Sequence, residues 1–298
     1  MLSRRQFFGD AVSGLLSLGW AASGGWAASN PCGPLCWPHP IGLQLYTVRD
    51  VLKADPLKTL KDVAVIGYKE VELGGSATDI PASTLTQYLR ESRLPAVSGH
   101  FPLESAGSKW QKSIAYSRAV GLRYMVCPFA NASTVDGWKR VADLFNRAGK
   151  ECKEAGIQFA YHNHLQEFRP VGNTTGYEIM ATHTDPALVE FEMDVFWMVY
   201  GGQNPLEYFR RFQGRYTLLH IKDMKKKVGY AWNPRQFPPH GTIPFTEVGR
   251  GRINWRDIFA QVKEAGTRHI FVEQDVCEVP TLEAACISYD YLKHLRRI

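Results

Sequence analysis

The sequence predicts a single (β/α)8 barrel of the α/β class. Three observations indicate this fold. The length of 298 residues suits one large domain. Short apolar runs alternate with amphipathic stretches at a spacing of roughly 25 to 35 residues, and there are eight such runs. A doubly wound sheet is the alternative fold, but it usually carries a glycine-rich turn after its first strand, and segment 46–50 has no glycine.

Eight apolar runs predict the strands of the barrel. Each run is short enough to be one buried parallel strand, and turn or loop residues follow it. In a parallel barrel the residues that end these strands lie at one common edge. The predicted strands are Ile41–Tyr46, Lys69–Leu73, Pro95–His100, Tyr124–Pro128, Gln158–His162, Val189–Asp194, Tyr216–Lys222 and His269–Glu273.

Amphipathic stretches between these runs predict helices. Several end on a glycine shortly before the next strand, as at Gly67, Gly121, Gly156 and Gly266. Glycine accepts the left-handed conformation that closes many helices, so the expected unit is a helix, a glycine cap and a strand. The predicted helices are Pro56–Ile66, Ser83–Ser92, Lys109–Val120, Val135–Ala155, Pro205–Phe212, Trp255–Ala265 and Thr281–Leu295.

The first residues predict an export signal. Ser-Arg-Arg-Gln-Phe-Phe at positions 3–8 precedes an apolar, small-residue stretch from Ala11 to Ala28. The pattern resembles a twin-arginine signal, which implies the twin-arginine translocase as a partner during export and a periplasmic protein after cleavage. A membrane anchor is the alternative, but glycines and serines interrupt the stretch. We expect a signal peptide at 1–29, a proline-rich segment at 30–40 and the barrel at 41–298.

Charge and cysteine usage narrow the function classes. The formal net charge is +6, but the basic residues are dispersed and the longest run is Lys225–Lys227, so no nucleic-acid binding is expected. Among six cysteines, Cys32 and Cys36 are close enough in sequence for a disulfide in an oxidising compartment, and the pairing stays open. The thiols show no second closely spaced pair, which disfavours a cysteine zinc site.

Polar side chains mark the carboxyl end of almost every predicted strand. Active groups lie at this end of a barrel. Buried strand ends are normally apolar unless their polar groups are paired or ligated, so the recurrence indicates one shared site. The residues are Gln44, Tyr46, Glu70, Glu72, His100, His162, His164, Asp194, His220, Lys222, Asp223, Glu273 and Gln274.

Histidines and carboxylates in this set are candidate metal ligands and proton carriers. His162 and His164 point to the same side of a strand with a period of two, and imidazole is the commonest protein metal ligand. Glu273 closes an apolar strand, where an unpaired carboxylate is costly and a cation would remove that cost. The structural alternative for Asp194 is a helix cap or buried salt bridge, and for His220 it is a hydrogen-bonded core histidine.

The ordered motifs resemble a known family. They are Glu72, His100, His162-Asn163-His164, Asp194–Trp197, His220–Asp223, Gly249–Trp255 and Glu273-Gln274, and together they are similar to the sugar phosphate isomerase/epimerase family of xylose isomerase-like barrels. The resemblance implies a divalent metal, either manganese, magnesium, cobalt or zinc, held by His162, Asp194, His220 and Glu273. In the keto-sugar epimerases of that family a metal-binding glutamate ends the fifth strand, where this chain has His162; His164 and Glu167 are alternatives for that role. Gly249–Trp255 is expected to be structural support.

This resemblance implies a metal-dependent sugar isomerase or epimerase that acts on a keto- or aldo-sugar through an enediolate. Chelation of neighbouring sugar oxygens acidifies the C–H beside the carbonyl, and a base then removes the proton. The candidate catalytic residues are Glu273, His162 and His164 as the base and Lys222, which like His100 is a candidate to bind a substrate oxygen or donate a proton. The candidate substrate-binding residues are Gln44, Glu72, His100 and Glu167.

Three alternatives stay open. If a leaving group lies β to the carbonyl, the same carbanion expels it, which predicts a lyase or hydrolase of a 3-keto-glycoside. A non-catalytic sugar-binding barrel is an alternative of another class. A metal phosphodiesterase of the apurinic endonuclease type is disfavoured by the export signal and by the absence of a basic stripe. Assembly into a homo-oligomer also remains open, with segment 225–249 as one candidate contact.

Overall fold

The computed structural model describes residues 37, 39–103, 108–226 and 242–295. All of them belong to one compact unit, Pro34–Ile298. The predicted signal peptide, Cys32 and Cys36 lie outside the described residues, and so does most of segment 225–249. Among the described helices, none is long and apolar enough to cross a membrane.

Eight parallel strands close into a barrel, which confirms the predicted fold. The chain order of all strands is β1 (Gly42–Gln44), β2 (Glu70–Leu73), β3 (Ala96–His100), β4 (Tyr124–Cys127), β5 (Gln158–His162), β6 (Pro170–Val171), β7 (Thr174–Thr175), β8 (Val189–Asp194), β9 (Leu218–Ile221), β10 (Asp223–Met224), β11 (Phe245–Thr246) and β12 (His269–Val272). The barrel uses β1 to β5, then β8, β9 and β12, and β12 pairs back to β1. The two remaining pairs, β6 with β7 and β10 with β11, are short antiparallel ribbons on the mouth side.

One or two helices follow each barrel strand along the chain. They are α1 (Arg49–Ala54), α2 (Pro56–Ile66), α3 (Ala82–Ser92), α4 (Ser108–Val120), α5 (Val135–Glu154), α6 (Gly176–His183), α7 (Val195–Tyr200), α8 (Pro205–Arg211), α9 (Trp255–Ala265) and α10 (Thr281–Leu295). Gly266 ends α9 in the expected left-handed conformation with φ of 87°, and Gly67 ends α2 with a φ of 126°, which is positive but lies outside the left-handed helical region.

The structure differs from the predicted elements mainly at strand ends. The first strand stops at Gln44, because the Gln44 side chain accepts a hydrogen bond from the Tyr46 N–H and winds Leu45–Val48 into a 3-10 helix. Sequence periodicity also does not predict α1, α6 and α7. These helices have six to eight residues, which is too short for a clear helical period.

Apolar side chains fill the barrel below its mouth. Five barrel strands contribute to a small buried cluster of Val97, Tyr124, Val126, Ala160, Leu218 and Phe271. The Phe271 ring lies 6.4 Å, centroid to centroid, from the ring of His220 at the end of β9. The polar groups at the mouth therefore rest on a packed apolar layer, as is usual in barrels of this type.

The described cysteines, Cys127, Cys152, Cys277 and Cys286, are free thiols. Burial raises the pKa of Cys127 to about 11, so its thiol stays protonated and behaves as a small apolar side chain.

Candidate active site

Four strand ends bring one cluster of donor atoms together at the barrel mouth. The cluster consists of His162 from β5, Asp194 from β8, His220 from β9 and Glu273 after β12, and all four residues are buried. One donor atom from each lies within 4.8 Å of the donor atoms of the others. These are the four residues that the sequence predicts as metal ligands, and the structure places them in one group.

The two histidines of this cluster have the orientation of metal ligands. His162 directs Nε2 toward Asp194 Oδ2 at 4.0 Å, and its Nδ1 lies 3.1 Å from Glu192 Oε2. His220 directs Nδ1 toward Glu273 Oε2 at 2.8 Å, and its Nε2 lies 2.6 Å from Glu72 Oε1. Each ring therefore presents one nitrogen to the cluster and the other to a carboxylate outside it, which is the usual support for a ligating histidine.

The carboxylates of the cluster also fit a cation. Asp194 Oδ1 caps α7 through the Trp197 N–H at 2.8 Å, and the buried Oδ2 forms an ion pair with Lys222 Nζ at 3.1 Å. Both alternative roles expected for Asp194, a helix cap and a buried salt bridge, are thus present, and Oδ2 also lies 4.0 Å from His162 Nε2 and 3.9 Å from His220 Nδ1. Two imidazole nitrogens and two carboxylates suit zinc, manganese or cobalt.

Lys222 is the internal counter-ion of this cluster. Its Nζ lies 3.1 Å from Asp194 Oδ2, 2.8 Å from Glu273 Oε2 and 2.6 Å from Asp275 Oδ2, and the side chain is fully buried. Burial acts to lower the pKa of Lys222, but the three carboxylates outweigh it and raise the pKa well above its usual value. Lys222 is therefore a buried ammonium that neutralises part of the acidic cluster, and it does not line the pocket.

Glu72 and Gln44 form a hydrogen-bonded layer behind the cluster. Glu72 accepts hydrogen bonds from Gln44 Nε2 at 2.7 Å and Ser98 Oγ at 2.6 Å, in addition to its contact with His220. Both side chains are fully buried and neither lines the pocket. The structure therefore does not bring Gln44 and Glu72 to the substrate side, where the sequence predicts them, because they are saturated by each other and by the site histidines.

Glu167 is also turned away from the pocket. Its carboxylate accepts hydrogen bonds from the Tyr161 hydroxyl and from the His164 backbone N–H, the latter at 3.1 Å. Burial raises the pKa of Glu167 to about 7. Glu167 therefore closes the turn that presents His164, and neither metal ligation nor substrate contact, both of which the sequence allowed, matches this orientation.

His164 and His100 both line the pocket but have opposite protonation preferences. Burial, reinforced by Lys222, lowers the pKa of His164 to about 3. Burial acts in the same direction on His100, but the carboxylates of Glu72 and Glu192 outweigh it and raise the pKa of His100 to about 10. His164 Nδ1 is buried and has no hydrogen-bond partner among the described residues. The site thus combines one neutral and one protonated imidazole.

The pocket above the cluster has a volume of about 470 Å³, within the usual range for small-molecule sites. Its described wall includes His100, His162, His164 and Glu273 together with Asp275. Aromatic and apolar side chains form much of the rest, namely Tyr46, Phe129, Trp197, Ile243 and Phe245. Apolar faces beside a few convergent polar groups suit a polyol ring, which has C–H faces and hydroxyl edges.

Three functional neighbours escape prediction as site residues. Glu192 contacts three site histidines, Asp275 pairs with Lys222, and Phe245 lines the pocket. The available signal for Glu192 is its position on the same strand face as Asp194, with one residue between them. Asp275 lies two residues beyond Glu273, in a loop whose direction no strand pattern reveals.

Asp223 explains the glycine-rich segment Gly249–Trp255. Its carboxylate accepts hydrogen bonds from the backbone N–H groups of Gly249 and Gly251 at 2.9 and 3.2 Å and from Trp255 Nε1 at 2.9 Å. A Cβ atom on Gly251 would lie 2.0 Å from Asp223 Oδ1, so only glycine fits there. The segment is structural support, and it anchors the loop that follows Lys222.

Comparisons with known proteins agree with this architecture. A protein-family model described as xylose isomerase-like TIM barrel matches residues 60–295. A protein named inosose dehydratase from Lacticaseibacillus casei is 25% identical over 264 residues, which cover 79% of this chain and 88% of the relative.

Solved structures show the same similarity. A sugar phosphate isomerase/epimerase from Parabacteroides distasonis superposes with a TM-score of 0.73 and 28% identity, covering 85% of this chain and 93% of its own. A protein named IolI, solved with a bound zinc atom, superposes with a TM-score of 0.66 and 15% identity, covering 86% of this chain and 98% of its own. The latter similarity supports the fold.

Proposed function

Because the chain belongs to the family of xylose isomerase-like TIM barrels, we propose that it is a metal-dependent lyase. Its proposed reaction removes a proton beside the carbonyl of a cyclic keto-polyol or keto-sugar and expels water or another leaving group from the β position. The observation that carries this proposal is the geometry of the barrel mouth, where the donor cluster lies together and the imidazoles of His164 and His100 both line the pocket. An elimination needs such a pair of proton acceptor and proton donor.

Support also comes from the relatives. The L. casei relative is named a dehydratase, so its name describes an elimination of water. The match covers most of both chains, which favours a shared type of reaction over a shared fold alone. The proposed substrate class is therefore a ring that carries a ketone and, in the β position, a hydroxyl group or a glycosidic alkoxy group.

We propose that His162, Asp194, His220 and Glu273 hold a divalent cation of the manganese, magnesium, cobalt or zinc group. A cation bound there would polarise the substrate carbonyl and make the neighbouring C–H more acidic. The protein residues divide the remaining work. His164 accepts the proton in this proposal, because its side chain lines the pocket and it is not one of the four donor residues.

His100 donates a proton to the leaving oxygen in this proposal. Its side chain is 13% exposed and lines the pocket, whereas the Lys222 side chain is fully buried. The sequence leaves the proton-donor role open between Lys222 and His100, and the difference in exposure favours His100. The ammonium group of Lys222 lies behind two aromatic rings of the pocket wall, with Nζ 5.7 Å from the ring centroid of Trp197 and 5.6 Å from that of Phe245, which is within cation–π distance.

Isomerisation or epimerisation is the second candidate function. It is favoured by the 28% identity with the P. distasonis protein, which is named a sugar phosphate isomerase/epimerase. In that reaction the proton taken by His164 returns to the substrate carbon, and no group leaves. We propose a substrate without phosphate, since none of the described residues that line the pocket is an arginine or a lysine.

The predicted export signal remains a proposal about location. A periplasmic enzyme would meet sugars and glycosides taken up from outside the cell, which agrees with a substrate without phosphate. Fractionation of cells that produce the full chain tests this, because the mature protein is expected in the periplasmic fraction and a twin-lysine variant of Arg4 and Arg5 is expected to stay in the cytoplasm.

Product analysis in deuterated water tests the reaction. Metal-loaded protein is incubated with inososes, free keto-sugars and 3-keto-glycosides, and products are followed by NMR spectroscopy. A lyase yields an unsaturated ketone together with water or, from a 3-keto-glycoside, the aglycone alcohol. Deuterium incorporation with full retention of the leaving group would instead support isomerisation, and neither exchange nor release across the panel contradicts both proposals.

A further inference from the structure

We propose that Glu192 is a positioning residue that orients the metal-binding histidines, a role in addition to those of the four donor residues. The inference rests on the proposed metal-dependent function, because it concerns the way in which this chain prepares His162 and His220 for a cation. Glu192 is fully buried and does not line the pocket. It therefore acts through other side chains and not on a substrate.

A single oxygen of Glu192 lies at the centre of three imidazole rings. Glu192 Oε2 is 2.8 Å from His100 Nε2, 3.1 Å from His162 Nδ1 and 3.2 Å from His220 Nε2. The other oxygen, Oε1, has no hydrogen-bond partner among the described residues. A buried carboxylate is costly unless its contacts compensate, so the arrangement depends on these three rings.

Strand register explains why Glu192 reaches His162. Their Cα atoms are direct partners across the parallel ladder of β5 and β8. Neighbouring strands lie about 4.8 Å apart, so two side chains on the same face at this register are within contact distance. The Glu192 side chain also shares a strand face with Asp194, which places a supporting carboxylate and a ligand carboxylate on the same strand.

The contact determines which ring nitrogen of His162 faces the donor cluster. With Nδ1–H donated to Glu192, the unprotonated Nε2 is the nitrogen that faces Asp194 Oδ2. A 180° flip of the ring would exchange these roles, and the Glu192 contact opposes it. For His220 the support is shared, because Glu72 Oε1 lies closer to its Nε2, at 2.6 Å. Loss of Glu192 should therefore release His162 more than His220.

A different assignment of the same atoms makes Glu192 a ligand. His100, His162, Glu192 and His220 form a second group whose donor atoms all lie within 4.8 Å of one another. The two groups share His162 and His220. If a cation filled each group at the same time, each of these histidines would have to bind one cation through Nδ1 and the other through Nε2. We favour hydrogen bonds, since the three distances from Glu192 Oε2 are those of ordinary hydrogen bonds.

Metal binding by Glu192 variants tests the inference. Glu192→Met removes the acceptor at similar length, and Glu192→Gln retains a neutral acceptor oxygen. Glu190→Gln is the matched control, because Glu190 lies on the same strand and pairs with Thr217, away from the cluster. Binding is measured by chelator competition, and the ligand geometry is followed by the visible spectrum of the cobalt-loaded protein.

The expected result has three parts. The wild-type chain binds one cobalt ion, Glu192→Met weakens binding about 10- to 100-fold with an altered spectrum, and Glu190→Gln resembles the wild type. The metal affinity of Glu192→Gln should lie between those of the wild type and Glu192→Met. This variant keeps the test decisive if Glu192→Met does not fold. Unchanged affinity and spectrum in both Glu192 variants overturn the inference, as does binding of two ions per chain. Failure of the wild type to bind any divalent cation would instead contradict the proposed function itself.

Discussion

Replacing Lys222 by methionine should destabilise the metal-free protein much more than the metal-bound protein. Lys222 Nζ lies 3.1 Å from Asp194 Oδ2 and 2.8 Å from Glu273 Oε2. With an effective dielectric constant of about 20, these contacts correspond to roughly 5 and 6 kcal/mol of gross attraction, most of which offsets the cost of burying the charges. Breaking a buried ion pair usually costs about 3 to 5 kcal/mol, because an uncompensated charge remains.

The same substitution should be much less harmful when a cation is bound. Asp194 and Glu273 belong to the proposed donor set, so a divalent ion replaces the lost positive charge. A ligand present at a thousand times its Kd adds about 4 kcal/mol to the free energy of unfolding. This gain increases if the metal binds more tightly once the positive charge of Lys222 no longer repels it. We therefore expect Lys222→Met to bind divalent metal more tightly than the wild type.

Urea unfolding with and without metal measures both effects. In a chelator the free energy of unfolding of Lys222→Met should fall by about 3 to 5 kcal/mol, and metal should recover most of the loss. Lys225→Met is a suitable control, because Lys225 pairs with Glu278 in an exposed ion pair. Equal destabilisation with and without metal would refute the reasoning, and so would an absence of destabilisation in the chelator.

Three further predictions concern neighbouring residues. His164→Asn should lower kcat by about 100- to 10,000-fold and leave the metal Kd unchanged, and a parallel loss of metal affinity would contradict its separate role. Asp223→Asn should reduce the free energy of unfolding by about 3 kcal/mol, since an amide group faces N–H donors of Gly249 and Gly251; an unchanged urea midpoint would contradict this. The pKa of Glu167 is about 7 in the folded protein and 4.5 for the free group, so the folded state holds this proton more tightly than the unfolded state. The protonated carboxyl therefore adds about 3 kcal/mol to the free energy of unfolding below pH 4.5, and this stability is lost as the pH rises through 7. Glu167→Gln should flatten that part of the stability profile, and an unaltered slope would argue against the raised pKa.

The barrel and its donor cluster are predictable from the sequence because their signals are local. Each strand is a short apolar run, and the ligands lie at or near the ends of such runs, as with Asp194, which ends β8, and Glu273, which follows β12. When the barrel closes, the carboxyl ends of all its strands meet at one mouth, so residues from distant segments come together there. The family resemblance selects His162, Asp194, His220 and Glu273 among the polar strand ends, and the structure places these four residues in one group.

Residues of the supporting layer are harder to assign from sequence. Gln44 pairs with Glu72 in the ladder of β1 and β2, and Glu72 pairs with Ser98 in the ladder of β2 and β3. Their side chains therefore form one interior layer and satisfy each other. A strand pattern shows that Glu72 ends a strand, but only the register shows that it meets Ser98 and His220 and not a substrate.

Contacts across long sequence separations account for the other differences. Glu192 supports His162 through a pairing of strands that are 30 residues apart. Glu167 lies near His162 in sequence, but the hydroxyl of Tyr161 and the N–H of His164 draw its carboxylate into the protein. Proximity in sequence alone thus suggests the wrong partner for Glu167.

The most direct test of the central claim is the metal dependence of elimination. Protein stripped with a chelator is titrated with manganese, cobalt or zinc, and release of the β leaving group from an inosose or 3-keto-glycoside is recorded. We predict no measurable release from the stripped protein, recovery that saturates at one ion per chain, and no recovery in Asp194→Asn. Full activity of the stripped protein, or an equal response of Asp194→Asn to metal, would contradict the account.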